Sequence, residues 1–441
     1  MMLRRKLPAV SLLLSLAACA AAGASVVSAQ GLPRGRPDQL GFSAPRLARI
    51  DSVMRQFVDS GRVAGVVTLV ARHGRVAQLG AYGWSDREAG RRMTPDAIFR
   101  IASQSKAVTS VAVMALVEEG RVRLSDPVSR WLPGFAATTV ATADSAHPRV
   151  PARRAITIRD LLTHTAGISY GTDSLVQAEY RGAGLGPAAG LGWYFADKRE
   201  PICVSMDRLG ALPFVAQPGE RWVYGYSTDI LGCVVERASG QPLDAFLQAR
   251  ILGPLRMRDT RFFLPPERRD RLAAVYAADG HGGYARAGEG PLGQGAYVDG
   301  PRASFSGGAG LLSTASDYAR FLQMLLNGGT LAGARVLAPA TVALMTQNHL
   351  GTLYNAGGAT GFGLGFEVLL DPGRAGQYGS VGRFGWGGAY ATNYWVDPGQ
   401  DLVAVFMIQL LPADGLDLAD RFRTLVYQAI VGPGQAGPRR P

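Results

Sequence analysis

FRIASQSKAVTSVAVMALVEEG, residues 99–120, is the stretch around which the rest of the chain is predicted to fold. Within residues 108–117 only Thr109 and Ser110 are polar, and a helix that is apolar nearly all round is a buried one. Gly120 follows two glutamates and is a typical helix-ending residue. The stretch therefore predicts a central helix in the interior of the protein.

Ser103 and Lys106 stand three residues apart at the start of this helix, so their side chains share one face. A serine hydroxyl needs a neighbour that takes its proton, and burial disfavours the charged form of an amine. Of the 46 basic residues only Lys6, Lys106 and Lys198 are lysine; the others are arginines, which keep their proton in proteins. The pair predicts a nucleophile with its base, and the N–H groups of the helix start are suited to an oxyanion.

Composition narrows the classes of partner. The chain has 441 residues, 47% of them hydrophobic, and a formal net charge of +12. Its arginines are interleaved with acids, as in residues 266–271, without a basic tract, which argues against a nucleic-acid partner. The five histidines have no metal-ligand spacing with one another or with the cysteines, so neither a metal nor a cofactor is predicted.

The first 29 residues resemble a secretory signal peptide. Residues 4–6 are basic, residues 7–18 are apolar, and Val27-Ser28-Ala29 is a small-residue cleavage site. Residues 16–19 also resemble a lipobox, in which Cys19 would carry a lipid anchor. The prediction is an exported protein, periplasmic or secreted, with a membrane-anchored lipoprotein as the alternative. Cys203 and Cys233 either form one disulfide or remain free thiols, and the sequence leaves both open.

Periodicity and turn residues divide the rest of the chain. The predicted elements are a flexible leader at 30–39, a helix capped by Ser43, strands at 66–71 and 76–83, helices at 156–164 and 315–327, a strand at 361–370, a hairpin of residues 390–396 and 402–410, and a disordered tail at 431–441. No internal repeat is present.

Ser169 lies in a second serine motif, Gly167-Ile168-Ser169-Tyr170-Gly171, which competes with Ser103. The nucleophile elbow of an α/β-hydrolase requires a strand directly before the serine, whereas a helix is predicted there. Residues 171–200 are predicted to form a loop or lid beside the site, whose Tyr180, Trp193 and Tyr194 contact substrate or pack.

Tyr224 and Tyr226 precede a helix that Thr228 or Asp229 is predicted to cap. A phenol on such a loop can project into a cleft and relay protons beside a serine–lysine pair.

Together with Gly385-Trp386-Gly387-Gly388, these motifs resemble the serine β-lactamase and penicillin-binding-protein superfamily. The likeness is to the class C β-lactamase branch and the related family VIII carboxylesterases. It extends over residues 40–430 and is supported by the phrases LLTHTAG (161–167), LGCVVERASG (231–240), ILGPLRMRDTRF (251–262) and GGAGLLSTASDYARF (307–321).

The resemblance implies an α+β fold of the β-lactamase/transpeptidase type. An antiparallel sheet, from about residues 40–100 and 300–430, is flanked by helices, and a mostly helical region of about residues 101–299 is inserted. It implies Ser103 as the acylated nucleophile and Lys106 as its proton acceptor, with Tyr224 as the motif tyrosine and Tyr226 as the alternative. The remaining implied roles are an oxyanion hole of the Ser103 and Ala389 N–H groups and substrate contacts from Trp386, Gly387, Gly388 and Tyr226.

Two departures from the family pattern bear on the substrate. The Tyr-x-Asn motif is here Tyr224-Gly225-Tyr226, and the lysine of the third motif is Trp386. Loss of that lysine removes a charge-assisted contact to the carboxylate of a β-lactam. The prediction is a serine hydrolase acting on small esters through an acyl-enzyme. The alternatives are a β-lactamase or D-amino-acid peptidase, and a non-catalytic penicillin-binding-like protein.

Overall fold

A computed structural model describes residues 31–186, 192–279, 283–412 and 415–433. The predicted signal peptide, lipid site and most of the predicted tail lie outside these residues. No helix within the described ranges has the length and apolarity needed to cross a bilayer.

Seventeen strands are found within the described residues. They are β1 (Gly65–Arg72), β2 (Arg75–Asp86), β3 (Arg91–Arg92), β4 (Phe99–Arg100), β5 (Thr139–Ala141), β6 (Arg149–Pro151), β7 (Pro213–Phe214), β8 (Tyr276–Ala278), β9 (Tyr284–Arg286), β10 (Leu312–Ser313), β11 (Thr330–Leu331), β12 (Ala334–Arg335), β13 (Thr360–Phe362), β14 (Glu367–Leu369), β15 (Phe384–Gly387), β16 (Asn393–Asp397) and β17 (Leu402–Met407).

The same ranges contain twelve α-helices. They are α1 (Ala44–Leu47), α2 (Arg49–Asp59), α3 (Ser105–Glu118), α4 (Ile158–Leu162), α5 (Gln177–Gly182), α6 (Ile202–Gly210), α7 (Ser227–Ser239), α8 (Leu243–Leu247), α9 (Ala315–Leu326), α10 (Pro339–Met345), α11 (Pro372–Ala375) and α12 (Leu418–Tyr427).

Eight strands form one antiparallel sheet in the order β13-β14-β15-β16-β17-β1-β2-β3. The N-terminal hairpin turns at His73 and Gly74, both with positive φ, and its strand β1 pairs with the C-terminal strand β17. One sheet face packs on α2 and α12, and the other on α9 and the helical region. The predicted α+β architecture is confirmed.

Helix α3 is the buried element that the sequence predicts. All residues from Ser105 to Leu116 are buried, and the helix packs most closely on α7. Helix α7 is in turn joined to α6 by a disulfide between Cys203 and Cys233, whose Cα atoms are 5.4 Å apart. The alternative of two free thiols is therefore wrong in this structure.

Three predictions of local structure are corrected. The strand predicted at 361–370 is two strands, β13 and β14, because Gly365 adopts a positive φ of 98° that breaks the extended chain. The predicted leader is ordered from residue 31: Leu32 is buried, and Gly35 donates a backbone hydrogen bond to Val76. Residues 431–433 also pack on the domain, where Val431 donates to the carbonyl of Gly41.

Helix α7 begins two or three residues earlier than a cap at Thr228 or Asp229 would place it. Tyr226 occupies the N-cap position, and Asp229 lies in the first turn with its carboxylate directed into the protein. Ser43 does stand at the N-cap of α1, although its side chain makes no capping hydrogen bond.

Candidate active site

Ser103 lies in a single turn of 3-10 helix that joins β4 to α3. The preceding residue, Ala102, has a φ of 40°, a left-handed conformation that costs free energy for a residue with a Cβ. Ile101, Ala102 and Gln104 are buried around it, whereas Ser103 is partly exposed. The turn thus presents one hydroxyl to solvent from a well-packed and strained backbone.

The amine of Lys106 is buried, and the residue is 3% exposed. Its Nζ lies 3.3 Å from Ser103 Oγ, 3.0 Å from the hydroxyl of Tyr170 and 2.9 Å from the carbonyl oxygen of Gly308. An ammonium has three donors, and all three are used. The predicted nucleophile and its base are therefore brought together.

Tyr170, and not Tyr224, is the tyrosine that hydrogen-bonds to the lysine. Burial raises the pKa of the Tyr170 hydroxyl well above its ordinary value, and the neighbouring Tyr224 and Asp229 add to this shift. Tyr170 is therefore a neutral phenol that accepts from Lys106. The sequence analysis did not predict this role for Tyr170. Its one signal is its place three residues after the LLTHTAG phrase and within the competing serine motif.

Tyr224 contacts the same amine through its ring. Lys106 Nζ lies 4.6 Å from the ring centroid, within cation–π distance. The Tyr224 hydroxyl accepts a hydrogen bond of 3.1 Å from Nε1 of Trp386. Tyr224 and the third motif are thus in direct contact across the site.

Tyr226 was predicted as a substrate contact, and its packing speaks against this role. The side chain is fully buried, and its ring packs edge-on against Tyr170. Its hydroxyl accepts from the N–H of Gly186 and donates to the carbonyl of Gly192. Tyr226 is therefore a support for Tyr170 and leaves no polar group for a ligand.

The third motif, Gly385-Trp386-Gly387-Gly388, lies close to the turn of the nucleophile because its last residue is a glycine. Gly388 directly follows β15, and a Cβ there would lie 2.4 Å from the carbonyl oxygen of Ile101 and 2.3 Å from Thr392 Oγ1. Only glycine permits this approach without displacement. The chain at Gly388 and Ala389 consequently lies against the turn that carries Ser103.

Aromatic side chains form a wall on the Tyr224 side of Ser103. Tyr224 stacks on Trp222 with centroids 5.5 Å apart, and both contact Trp386. Phe362 and His164 complete the cluster. Burial, and then the charge of Lys106, lower the pKa of His164 well below its ordinary value, so this histidine adds no second charge.

A second wall lies on the other side. Trp193, which is partly exposed, meets the ring of Tyr390 edge-on at 5.7 Å. Tyr390 belongs to a small apolar cluster with Ala102, against which Trp193 and Ala389 pack. Of the three aromatic residues predicted near the site in residues 171–200, Tyr180 and Tyr194 are buried and only Trp193 has an exposed surface.

Ser169 does not have the geometry of a nucleophile elbow. It is buried, no strand precedes it in the described residues 152–176, and its Oγ accepts the N–H of Gly171. This agrees with the prediction that an elbow is absent here.

Comparison with known proteins supports the same family. The model of the β-lactamase family matches residues 50–428. Esterase EstB of Burkholderia gladioli is 37% identical over 80% of this chain and 88% of its own length, and the lovastatin esterase of Penicillium rubens is 30% identical over 86% and 98%. Among solved structures, EstCE1, described as a hydrolase with promiscuous acyltransferase activity, superposes with a TM-score of 0.74 at 31% identity, covering 87% of this chain and 99% of its own.

The family match covers most of the chain, and each of the two esterases is matched over more than four fifths of its own length. The chain therefore belongs to the β-lactamase family and is a serine hydrolase.

Proposed function

We propose that the protein hydrolyses small neutral esters through an acyl-enzyme on Ser103, with Lys106 as the general base. The observation that carries the proposal is the arrangement around Lys106 Nζ. Two of its three hydrogen bonds go to groups that stay in place, Tyr170 and Gly308, and the third goes to Ser103 Oγ.

This arrangement orients the amine for proton transfer. A neutral amine has two N–H donors and one lone pair. When Tyr170 and Gly308 accept the two N–H groups, the lone pair faces the Ser103 hydroxyl. The Ser103 proton then moves to Nζ as Oγ bonds to the carbonyl carbon, and the charge on the carbonyl oxygen is stabilised by the N–H groups of Ser103 and Ala389.

Collapse of this intermediate breaks the bond to the alcohol, which leaves with a proton. We assign delivery of that proton to Tyr224, whose hydroxyl faces Trp386 at the cleft. The proton held by Lys106 then passes to the Tyr224 oxygen, which restores the phenol and the neutral amine before deacylation. Water then attacks the acyl-enzyme, the base accepts its proton, and the carboxylic acid leaves as Ser103 regains its hydrogen.

The walls around Ser103 favour neutral, apolar groups on the ester. Trp386 stands where the resembling lactamases have a lysine, and its indole N–H is already donated to Tyr224. The amine of Lys106 already has its three hydrogen-bond partners within the protein, namely Ser103, Tyr170 and Gly308. A carboxylate on the substrate would thus lose its hydration without a charged partner, which is costly.

The first experiment compares Ser103→Ala with Ser169→Ala on a p-nitrophenyl butyrate and on a chromogenic cephalosporin, which carries a carboxylate. We expect the wild type to turn over the ester much faster than the cephalosporin. Ser103→Ala lowers kcat/KM for the ester by about 10⁴-fold, while Ser169→Ala keeps it within about twofold. Loss of activity in Ser169→Ala alone would contradict the assignment, and fast cephalosporin turnover would favour the lactamase alternative.

The roles of Tyr170 and Tyr224 can be distinguished by comparing esters with different leaving groups. If Tyr224 protonates the alcohol, Tyr224→Phe lowers kcat/KM by about 10²-fold for an ethyl ester and much less for a p-nitrophenyl ester, whose phenolate leaves unaided. Tyr170→Phe, which removes an acceptor of Lys106, is expected to slow both esters equally. Equal losses in Tyr224→Phe would show that Tyr224 does not deliver this proton.

The oxyanion site is tested through Gly388. Gly388→Ala places a Cβ against the Ile101 carbonyl, so it moves the Ala389 N–H and is expected to lower kcat by about 10²-fold with little change in KM. Gly373→Ala, whose nearest contact is 3.3 Å away at Asp371, is the matched control. Unchanged kcat in Gly388→Ala would rule out Ala389 as an oxyanion donor.

We also propose export, which the N-terminal pattern and the Cys203–Cys233 disulfide support, since such bonds persist in oxidising compartments. Mass spectrometry of the protein purified from a Gram-negative host identifies the first residue of the mature chain and shows whether it carries a lipid. A periplasmic or secreted protein is expected to begin at Gln30, whereas the alternative, a lipoprotein, begins at a lipidated Cys19. An unprocessed chain that stays in the cytoplasm would contradict both.

A further inference from the structure

A buried carboxylate lies behind the lysine and has no part in the reaction proposed above. Asp229 is fully buried, and its Oδ1 accepts hydrogen bonds of 2.6 Å from Ser306 Oγ and 3.0 Å from the N–H of Gly308. Its Oδ2 is buried without a hydrogen-bond partner in the described part of the chain. A carboxylate in such surroundings is costly unless a neighbouring positive charge offsets its desolvation.

One residue, Gly308, connects this carboxylate to Lys106. Gly308 donates its N–H to Asp229, and the carbonyl of the same residue accepts from Lys106 Nζ at 2.9 Å. A Cβ at Gly308 would lie 2.5 Å from Asp229 Oδ2, so glycine is needed for this approach. Through these two hydrogen bonds Gly308 fixes the carboxylate and the amine relative to each other.

The charge that faces Asp229 is that of Lys106. In the described part of the chain, the titratable groups with which Asp229 interacts are Lys106 on α3, Tyr170 in the loop after α4 and Tyr226 at the start of α7. His164, which also faces Lys106, is uncharged because its pKa is lowered. Burial raises the pKa of Asp229, while the charge of Lys106 and the bonds from Ser306 and Gly308 act in the opposite direction. The two tyrosines are neutral, so Lys106 is the cation of this group.

We propose that Asp229 is a positioning residue that aims Lys106 through its hydrogen bond to Gly308 and stabilises the ammonium formed when Lys106 takes the Ser103 proton. The inference rests on the proposed function, because it requires Lys106 to be the base. Asp229 touches neither substrate nor the reacting atoms. Its role is that of the group that orients and stabilises the base in a hydrolytic triad.

The test is the pH dependence of kcat/KM for p-nitrophenyl butyrate in Asp229→Asn. The amide keeps the size and an acceptor but removes the charge, so protonated Lys106 loses stabilisation relative to the neutral amine. We expect the plateau to fall about tenfold and the acid limb to move to lower pH by about one unit. Should the asparagine variant not fold, Asp229→Ser, smaller and also uncharged, is expected to give the same shift.

Two further variants separate charge from structure. Ser306→Ala removes a hydrogen bond to the carboxylate but keeps its charge, so the plateau is expected to fall while the acid limb stays in place. Asp207→Asn, a half-buried aspartate on α6, which also packs on α7, is expected to change neither.

An Asp229→Asn profile that falls without moving, as in Ser306→Ala, would overturn the electrostatic role. An unchanged plateau would overturn the proposal entirely. Failure of the proposed function gives a different result, since Ser103→Ala would then retain ester turnover.

Discussion

The hydrogen bonding of one buried amine is the constraint on which the site depends. Removing an ammonium from water is costly, and the cost is offset here by three acceptors from three separate parts of the chain. Ser103 comes from the 3-10 turn directly before α3, Tyr170 from the loop after α4, and Gly308 from the loop before β10. The packing of α3 at the centre of the domain is what brings these three segments within reach of a single nitrogen atom.

The loop that supplies Gly308 is held from both sides. Thr109, one of the few polar residues of α3, donates from its hydroxyl to the carbonyl of Gly307 at 2.8 Å. The next residue of the loop bonds to Asp229 on α7. Because α3 and α7 are packed together, the loop, the lysine and the carboxylate are held in one packed group. The polar Thr109 of an otherwise apolar helix is thus explained by the loop beside it.

The strained backbone at Ala102, next to the nucleophile, is held in place by contacts of the preceding strand β4. Gln409 brackets Arg100, because it accepts the Arg100 N–H at 3.0 Å and donates to the Arg100 carbonyl at 3.0 Å. After the turn, Ser105 Oγ accepts the N–H of Leu311. With the chain fixed on both sides, Ala102 is held in its left-handed conformation, as strained residues persist only where the surroundings determine them fully.

The sequence predicted features that depend on short spacings, and it missed those that depend on tertiary contacts. The Ser103–Lys106 pair, the buried α3 and the hairpin of β1 and β2 follow from periodicity and turn residues, and the structure has all three. The bond between Lys106 and Tyr170 joins residues 64 positions apart, and no local pattern indicates it. Leu32 illustrates the same limit. It lies in a short Gly/Pro/Arg stretch that resembles a flexible leader, but in the folded protein this stretch bonds to β2 and Leu32 is buried.

The replacement of a lysine by Trp386 changes the site in more than its charge. An indole N–H donates only one hydrogen bond, and here that bond goes to the Tyr224 hydroxyl, so the tryptophan fixes a neighbouring side chain where a lysine would reach for a ligand. The stacked rings of Trp222 and Tyr224 extend the same apolar surface. Lys106 lies beside this surface, and the π-face of Tyr224 covers its amine. The ring stabilises an ammonium, but it gives an anionic ligand no contact. The positive charge needed for proton transfer is thus kept within the protein, and the surface left for the substrate is suited to a neutral ester.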